Sequence, residues 1–441
     1  MLGGMSLPTH RRLEHLAAAG RGLLLAFIVA LPCRSALADD AAPAAPPPTA
    51  PAAPPAPPAV PKADRPLAPT GEIDRARLDA HVKALASASF GGRGMPEDRE
   101  KAGAYVADAL TAAGVKPVPG ATSLFRAFGA KPEQGIPAGT NVVGWIAGAD
   151  PVEYVVLSAH FDHLGRRKDV APKGDAAPRA DVVFPGADDN ASGTAAMIEI
   201  ARALAAGPKL ARSVLVLGFD LEEVNCGGSR AYCESPAVPL ADCAVFTTVD
   251  MLGRSMGDLY PGLLLVMGAE RADALLSATA TLPVAPGVVV RELGMDFNQL
   301  GWSDYLPFEE RRVPSLFFTS GACRDYHRET DTADKLDGPA FHARTATLLA
   351  AIRALAALPA RPRWKDVAAP RLVEIESLHA LVKEAGAHEE ELHVPPPMRA
   401  MRKNFEDNLG RTIGRQTVTV GERTAARNLA LMLFQAASQA R

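Results

Sequence analysis

The sequence predicts an α/β fold, a three-layer sandwich with a largely parallel central sheet and a helical appendix at the C-terminus. Short apolar runs of strand length alternate with amphipathic stretches of helix length from residue 73 to about residue 358. This alternation is typical of parallel sheets, because parallel strands need crossover connections that are usually helical. The run at 154–159 has no polar face, which is expected of a strand buried on both sides.

The elements follow from periodicity and from their flanking residues. Amphipathic patterns predict helices around 75–87 and 98–113, with a glycine-rich loop at 91–94 between them. A helix over 190–206 is expected to open at Ser192 and to stop at Gly207-Pro208. Strand-like runs lie at 140–146, 154–159, 213–219, 245–249, 263–267 and 315–319, and a helix at 339–357 follows the last of them.

The chain changes character from about Arg361. A helical pattern is carried by Leu372, Ile375, Leu378, Leu381 and Val382. A break follows at Pro395-Pro396-Pro397, and a last helix is predicted around 422–439. This appendix, residues 361–441, either packs on the core or forms a small helical lobe.

The N-terminus has the features of a secretory signal, assigned to residues 1–38. Arginines precede a short apolar stretch at 22–31, and Ala36-Leu37-Ala38 matches a small-x-small cleavage site. The apolar stretch is shorter than the roughly 20 residues of a membrane span. Met5 is an alternative start, and a lipid anchor on Cys33 is the rival interpretation. We expect a secreted or periplasmic protein without stable membrane insertion after cleavage.

Residues 39–70 are rich in alanine and proline and are expected to form an extended spacer, so that a globular domain would occupy 71–360. The 441-residue chain has a formal net charge of −3, which gives no electrostatic reason to expect nucleic acid as a partner. After signal cleavage four cysteines would remain, Cys226, Cys233, Cys243 and Cys323. They could form disulfides in an exported protein, or remain buried thiols.

Candidate metal ligands lie just past the ends of the strand-like runs. His160 follows one run, Asp250 directly ends another, and His327 comes a few residues after a third. Ligands in open α/β sheets bind outside the carboxyl ends of the strands, so these side chains are expected to converge. Histidine and carboxylate ligands together suit zinc.

Each of these residues also has a structural interpretation. A lone histidine at a strand end is more often structural, Asp189 could cap a helix, and the adjacent Glu222 and Glu223 could lie in a solvated loop. Asp250 is harder to explain in this way, because an acid that ends an apolar run tends to be buried and then needs a partner. Because all five candidate residues lie at successive strand ends, a metal site is favoured over five separate structural roles.

The residues resemble a known family. The similarity rests on six motifs: His160-Phe161-Asp162-His163-Leu164-Gly165, Gly186-Ala187-Asp188-Asp189-Asn190-Ala191-Ser192-Gly193, Glu222-Glu223 with Gly228-Ser229, Asp250-Met251-Leu252-Gly253, Ser303-Asp304 with Pro307-Phe308, and Tyr326-His327 with Asp331-Thr332. They are similar to those of the di-zinc aminopeptidases of metallopeptidase family 28, which also contains glutamate carboxypeptidase and the glutaminyl cyclases. The likeness covers about residues 73–358, so it identifies 71–360 as a zinc peptidase domain.

The resemblance implies a role for each matching residue. Asp189 would bridge two zinc ions; His160 and Asp250 would complete one site, and Glu223 and His327 the other. Glu222 would be the general base that activates a water for hydrolysis of N-terminal peptide bonds. Asp162 would orient the His160 ring, and Tyr326 would steady the developing oxyanion.

Three other kinds of protein share parts of these motifs. A glutaminyl cyclase, which uses one zinc ion on the same fold, is compatible with the Glu222-Glu223 region. A non-catalytic binding module would be expected to lack ligands, whereas every expected position is filled here. The run from His160 to His163 is similar to the metallo-β-lactamase pattern His-x-His-x-Asp-His, but Ser158 stands where the first histidine of that pattern is required.

Overall fold

The computed structural model of the chain describes residues 65–167, 182–297, 303–366, 369–390 and 394–439. The expected signal peptide and most of the expected spacer lie outside these ranges. Residues 65–70, which composition assigns to the spacer, lie on the folded domain. Ala68 is buried and its N–H donates to the carbonyl oxygen of Val284, while Arg65 forms an ion pair with Glu292 at 2.8 Å.

The strands, numbered in chain order, are β1 (Lys116–Pro117), β2 (Phe125–Phe128), β3 (Gly139–Ile146), β4 (Tyr154–His160), β5 (Arg166–Arg167), β6 (Val182–Val183), β7 (Ser213–Phe219), β8 (Cys243–Val249), β9 (Leu263–Met267), β10 (Val289–Leu293) and β11 (Ser315–Thr319). Within the described ranges, nine of them form one sheet in the order β1, β3, β7, β4, β8, β11, β9, β10, with β2 paired to β3. Strands β5 and β6 form a separate two-stranded ribbon.

The centre of the sheet is parallel. Strand β4 lies between β7 and β8 and is parallel to both, and β8 is parallel to β11. On either side of this block the direction reverses, since β3 is antiparallel to β7 and β9 is antiparallel to β11. Every residue of the four central strands is buried. The predicted α/β fold with a largely parallel central sheet is therefore confirmed, and its four parallel strands end at one edge.

The helices, numbered in the same way, are α1 (Arg75–Leu85), α2 (Pro96–Ala112), α3 (Gly193–Ala206), α4 (Gly227–Glu234), α5 (Asp273–Ala280), α6 (Leu306–Glu309), α7 (Gly338–Ala356), α8 (Leu372–Ala387), α9 (Pro396–Arg415) and α10 (Val420–Gln439). They cover both faces of the sheet, because successive side chains of a strand point to opposite faces. Val155 and Leu157 of β4 pack in one apolar cluster with α1, α2, α3 and α7. Tyr154 and Val156 pack in a second cluster with α4, α6 and α8.

Helix α3 runs from Gly193 to Ala206, with Ser192 at its N-cap position and Gly207 at its C-cap position, as predicted. It begins three residues later than the predicted 190, and the Ser192 side chain makes no capping hydrogen bond. The Ser192 hydroxyl donates to the Asp188 carbonyl oxygen at 2.7 Å and accepts from the Leu252 N–H at 2.9 Å. The side-chain oxygen of Asn190 instead accepts from the Gly193 N–H at 2.9 Å. The hydroxyl is thus bonded to residues of its own turn and of the loop after β8.

Several elements were not predicted from periodicity. Strand β10 and helix α5 lie between the predicted strands at 263–267 and 315–319. The triple proline, interpreted as a break, opens helix α9, whose first residue is Pro396. Proline is tolerated in the first helical turn because the N–H groups there have no intrahelical acceptor.

The C-terminal helices pack on the sheet. Leu378 and Leu381 of α8 are buried in the second apolar cluster, together with Phe317 of β11. The Tyr260 hydroxyl donates to the Leu381 carbonyl oxygen at 3.1 Å, and the Glu292 N–H of β10 donates to the Ser377 hydroxyl at 3.0 Å. Of the two possibilities for the appendix, packing on the core is the one observed.

The four described cysteines, Cys226, Cys233, Cys243 and Cys323, are buried free thiols. Burial raises the pKa of each thiol, which keeps the group protonated and unreactive. The disulfide alternative is not realised among them. Within the described part of the chain, no helix is both long and apolar enough to cross a membrane.

Candidate metal centre

The carboxyl edge of the parallel block collects the residues that the sequence selects. His160 is the last residue of β4, and Asp250 directly follows β8. Glu222 and Glu223 lie in the loop after β7, and His327 lies in the loop after β11. Asp189 lies in the buried turn that precedes α3. Parallel neighbours bring these chain segments to one crevice, as expected of an open α/β sheet.

One group of side chains surrounds His160. Its Nε2 atom lies 3.3 Å from Oδ1 of Asp250, 3.5 Å from Oδ1 of Asp189 and 3.9 Å from Oε2 of Glu222. One ligand atom each from His160, Glu222 and Asp250 falls within 4.8 Å of the others. The Ser303 hydroxyl donates to Oδ2 of Asp250 at 3.2 Å and leaves Oδ1 facing the histidine.

A second group surrounds Glu223. Nε2 of His327 lies 3.3 Å from Oε2 of Glu223 and 3.1 Å from Oδ2 of Asp189. On the other side, Nδ1 of His163 lies 2.7 Å from Oε1 of Glu223 and 3.7 Å from Oδ2 of Asp189. Asp189 therefore lies between the two groups, with Oδ1 toward His160 and Oδ2 toward His327.

The distances distinguish pairs of side chains that could bind one zinc ion from pairs that are only neighbours. Two donors that bind one zinc ion at about 2.0–2.1 Å in tetrahedral geometry lie roughly 3.3 Å apart. Four nitrogen–oxygen distances match this spacing, because they lie between 3.1 and 3.5 Å. They join His160 to Asp250 and Asp189, and His327 to Asp189 and Glu223. The 3.9 Å from His160 to Glu222 is longer, and the 2.7 Å from His163 to Glu223 is that of a hydrogen bond.

Asp162 contacts residues of both groups. Its Oδ1 lies 3.6 Å from Nδ1 of His160 and accepts a hydrogen bond from the Glu222 N–H at 3.0 Å. Its Oδ2 accepts from the Glu223 N–H at 3.2 Å. One buried carboxylate thus lies against the ring of His160 and also holds the loop that carries the paired glutamates.

Two further aspartates hold the loops together. Oδ1 and Oδ2 of Asp331 each accept from the Asp188 N–H at 3.0 Å, and Oδ2 also accepts from the Asp189 N–H at 3.1 Å. Oδ1 of Asp188 in turn accepts from the Gly253 N–H at 2.7 Å, in the loop that begins with Asp250. The sequence offered these aspartates only as parts of motifs, because their partners are distant in the chain.

Tyr326 stacks on the neighbouring His327, with ring centroids 3.9 Å apart and an interplanar angle of 23°. Burial, followed by the negative charge of Asp189 and Glu223, raises the pKa of its hydroxyl well above the usual value. The hydroxyl therefore stays protonated and remains a hydrogen-bond donor beside the carboxylates.

The centre carries an excess of negative charge. Burial, reinforced by the Asp250 carboxylate although opposed by His160, raises the pKa of Glu222 well above its usual value. Burial opposes a charged ring at His160, yet the Glu222 and Asp250 carboxylates raise the pKa of this imidazole well above the ordinary range. Burial also disfavours charge on Glu223, but His327 and His163 hold its pKa well below the usual value.

This donor set fits divalent zinc. Imidazole nitrogens and carboxylate oxygens are its usual ligands, and the cation would offset carboxylates that protein cations do not balance. The side chains of His160, Asp189, Glu223 and Asp250 are at most 10% exposed, whereas that of His327 is 36% exposed. The centre is therefore more open to solvent on the side of His327.

His163 is the contact that sequence reasoning missed. His163 stands in the first family motif and in the β-lactamase-like pattern, but neither of them gives it a role in the centre. Its side chain is fully buried, and its Nδ1 hydrogen bond to Glu223 makes it part of the centre. A second histidine three residues after His160, with Gly165 two residues further on, was the signal available in the sequence.

The family comparison covers the whole centre. Residues 141–352 match the model of peptidase family M28. All eight predicted site residues lie within that range: His160, Asp162, Asp189, Glu222, Glu223, Asp250, Tyr326 and His327. A probable lipoprotein aminopeptidase, LpqL, of Mycobacterium tuberculosis is 26% identical over 224 residues, which are 47% of this chain and 41% of that protein. The match thus spans less than half of that relative.

Solved structures share the fold. LapA aminopeptidase of Legionella pneumophila superposes with a TM-score of 0.51 and 17% identity, covering 65% of this chain and 73% of that one. A glutaminyl cyclase of Porphyromonas gingivalis gives a TM-score of 0.50 and 19% identity, covering 63% of this chain and 96% of that one. These structures share the fold of this chain, and residues 141–352 match the model of peptidase family M28.

Proposed function

We propose that this chain is an exported zinc-dependent exopeptidase that hydrolyses the N-terminal bond of peptides and uses two zinc ions. The observation that carries the proposal is the placement of Asp189. Its Oδ1 lies 3.5 Å from His160 and its Oδ2 lies 3.1 Å from His327, so one carboxylate faces two separate histidines. A carboxylate shared in this way is suited to a two-metal centre.

His160 and Asp250 would hold one ion, Glu223 and His327 the other, and Asp189 would contact both. Bound zinc would supply Lewis-acid polarisation of the scissile carbonyl and would lower the pKa of a water molecule toward roughly 7. His163, at hydrogen-bond distance from Oε1 of Glu223, would leave Oε2 of that carboxylate free to bind. It would act on the ligand rather than on the ion.

Glu222 is the proposed general base. Its carboxylate lies 3.9 Å from His160, beyond the spacing of two ligands on one ion, and burial raises its pKa. A carboxylate whose pKa is raised is a stronger base than an ordinary glutamate carboxylate. Glu222 would accept a proton from the attacking water and deliver it to the leaving amine nitrogen.

Two neighbours complete the proposed reaction. Asp162 accepts from the Glu222 N–H, so it holds the base at a fixed place relative to His160. The Tyr326 hydroxyl stays protonated, and it would donate a hydrogen bond to the carbonyl oxygen as negative charge develops there.

The experiment that tests this function compares aminoacyl-nitroanilides with free and with blocked amino groups, on zinc-loaded protein. We expect turnover of the free-amine substrates and none of their blocked counterparts, with the Glu222→Gln variant as the inactive control. Turnover of blocked substrates would refute an aminopeptidase. Cyclisation of a glutaminyl peptide without hydrolysis would identify a cyclase, and zinc binding without turnover would identify a binding module.

Export is the part of the proposal that rests on the N-terminal sequence alone. The apolar run at 22–31 and Ala36-Leu37-Ala38 support cleavage before Asp39. N-terminal sequencing of protein isolated from its native host should give a chain that begins near Asp39 and lies outside the cytoplasm. A cytoplasmic chain that retains Met1 or Met5 would refute export.

A further inference from the structure

Arg93 is a buried cation that the proposed reaction does not use. It lies in the glycine-rich loop between α1 and α2, which precedes the family-matched segment, and it is completely inaccessible to solvent. Burial lowers its pKa to about 10, even though Asp189 and Asp331 oppose this shift, so the guanidinium remains charged at neutral pH. A buried charge is costly unless it is paired and hydrogen-bonded, so its partners indicate what it does.

The partners of Arg93 are backbone carbonyl oxygens from three parts of the chain. The guanidinium donates to the carbonyls of Phe161 at 2.8 Å, Leu85 at 2.8 Å, Pro185 at 2.6 Å, Gly186 at 2.8 Å and Asp189 at 3.4 Å. Phe161 directly follows His160, whereas 185–189 is the turn that carries Asp189. One side chain therefore ties the backbone at the end of β4 to the backbone of the proposed bridging residue.

The backbone of the same loop holds the segment after His160. The His163 N–H donates to the Arg93 carbonyl at 3.2 Å, and the Gly165 N–H donates to the Gly92 carbonyl at 2.9 Å. Glycine is required for this approach, because a Cβ on Gly94 would lie 2.6 Å from Cα of Gly165 and one on Gly92 would lie 2.5 Å from the Phe184 carbonyl oxygen. The loop thus packs directly against the segment after His160 and against Phe184.

We propose that Arg93 is a positioning residue for the metal centre, which sets the place of the Asp189 carboxylate relative to His160. This inference rests on the proposed function. The planar guanidinium carries five N–H donors in a fixed arrangement, and it uses them on carbonyls from both segments. A lysine would keep the charge but would offer one ammonium group, which cannot reach the same set of carbonyls.

The test compares Arg93→Lys and Arg93→Met with a matched control, Arg212→Met. Arg212 is also a buried arginine, and it donates to Glu153 at 2.7 Å and to the Leu358 carbonyl at 2.6 Å. It precedes β7, at the end of the sheet opposite to the metal centre. The measurements are zinc affinity by chelator competition, the rise in Tm on adding zinc to the metal-free protein, and kcat and KM separately.

We expect both Arg93 variants to bind zinc about 10–100-fold more weakly, the range for residues that orient metal ligands. The rise in Tm with zinc should shrink, and kcat should fall more than KM changes. In the metal-free protein, Arg93→Lys should have a higher Tm than Arg93→Met. Its zinc affinity should not be higher than that of Arg93→Met. Arg212→Met should lose Tm while keeping the zinc affinity of the wild type.

Wild-type zinc affinity in both Arg93 variants, or an equal loss in Arg212→Met, would overturn the inference. If Arg93→Met does not fold, Arg93→Lys decides alone: weaker zinc binding supports the positioning role, and unchanged binding overturns it. A wild-type protein that binds no zinc would overturn the proposed function as well, and so is distinguishable from failure of this inference alone.

Discussion

Glu222 and Glu223 are neighbours in sequence but lie in opposite environments. Glu223 faces two histidines, which hold its pKa low against the effect of burial. Glu222 lies 3.9 Å from His160, whose charge opposes the shift, but burial and the nearby Asp250 carboxylate raise its pKa. The difference arises because adjacent side chains of the loop point into different groups of the centre.

Substitution should separate these two residues. Glu222→Gln keeps the size and much of the hydrogen bonding but cannot accept a proton. We therefore expect near-normal zinc content, little change in KM and a loss in kcat of at least about 10²–10⁴-fold. Glu223→Ala removes a proposed ligand, so zinc content should fall together with the rate. Metal analysis and steady-state kinetics on both variants measure these quantities.

Interchanged phenotypes would show that the two roles are reversed. Mild effects in both variants would show that the glutamate pair lies outside the functional centre. Lys383→Ala, a change at an exposed position of helix α8, serves as the unaffected control.

At the scale of elements, helix α8 has the clearest energetic role. Leu378 is fully buried against the second face of the sheet, in the cluster that contains Phe317 of β11. The same helix is anchored by the hydrogen bond from the Glu292 N–H to Ser377. This helix closes a face of the sheet that would otherwise expose apolar side chains to water.

Leu378→Ala should therefore lower the free energy of unfolding by about 2–5 kcal/mol, the usual range for truncating a fully buried leucine. Lys383→Ala, an exposed change in the same helix, should stay within about 0.5 kcal/mol of the wild type. Urea denaturation at equilibrium measures both values. Equal stability of the two variants would mean that α8 is not part of the cooperative core.

For the whole molecule, charge is distributed unevenly. The chain carries a formal net charge of only −3, yet buried carboxylates are concentrated at one edge of the sheet. Asp162, Asp189 and Asp250 are all buried within the two groups described above. Their mutual repulsion opposes folding unless a cation compensates for it.

Removal of zinc should therefore lower Tm as well as abolish activity, and added zinc should restore both. Zinc at 1,000 times its Kd would add about 4.1 kcal/mol of stability for each site. Metal analysis of the active protein should give about two zinc ions per chain. Full activity with a single tightly bound ion would contradict the two-metal proposal and would favour the cyclase.

The sequence by itself predicted most strands of the main sheet and selected candidate site residues at their ends. The runs at 213–219, 263–267 and 315–319 coincide with β7, β9 and β11, since buried strands are continuous apolar segments and their signal is local. His160 and Asp250 could be selected because the carboxyl ends of parallel strands share one edge. This inference needs only the position of each residue relative to its own strand.

The tertiary structure alone decided which side chains face one another. Arg93 donates to the Asp189 carbonyl across 96 positions of sequence, and His163 contacts Glu223 across 60. The reversal of direction between β11 and β9 is of the same kind, because it depends on how the chain returns to the sheet. Periodicity and capping signals extend over a few residues, whereas these contacts depend on the packing of segments that are far apart in the chain.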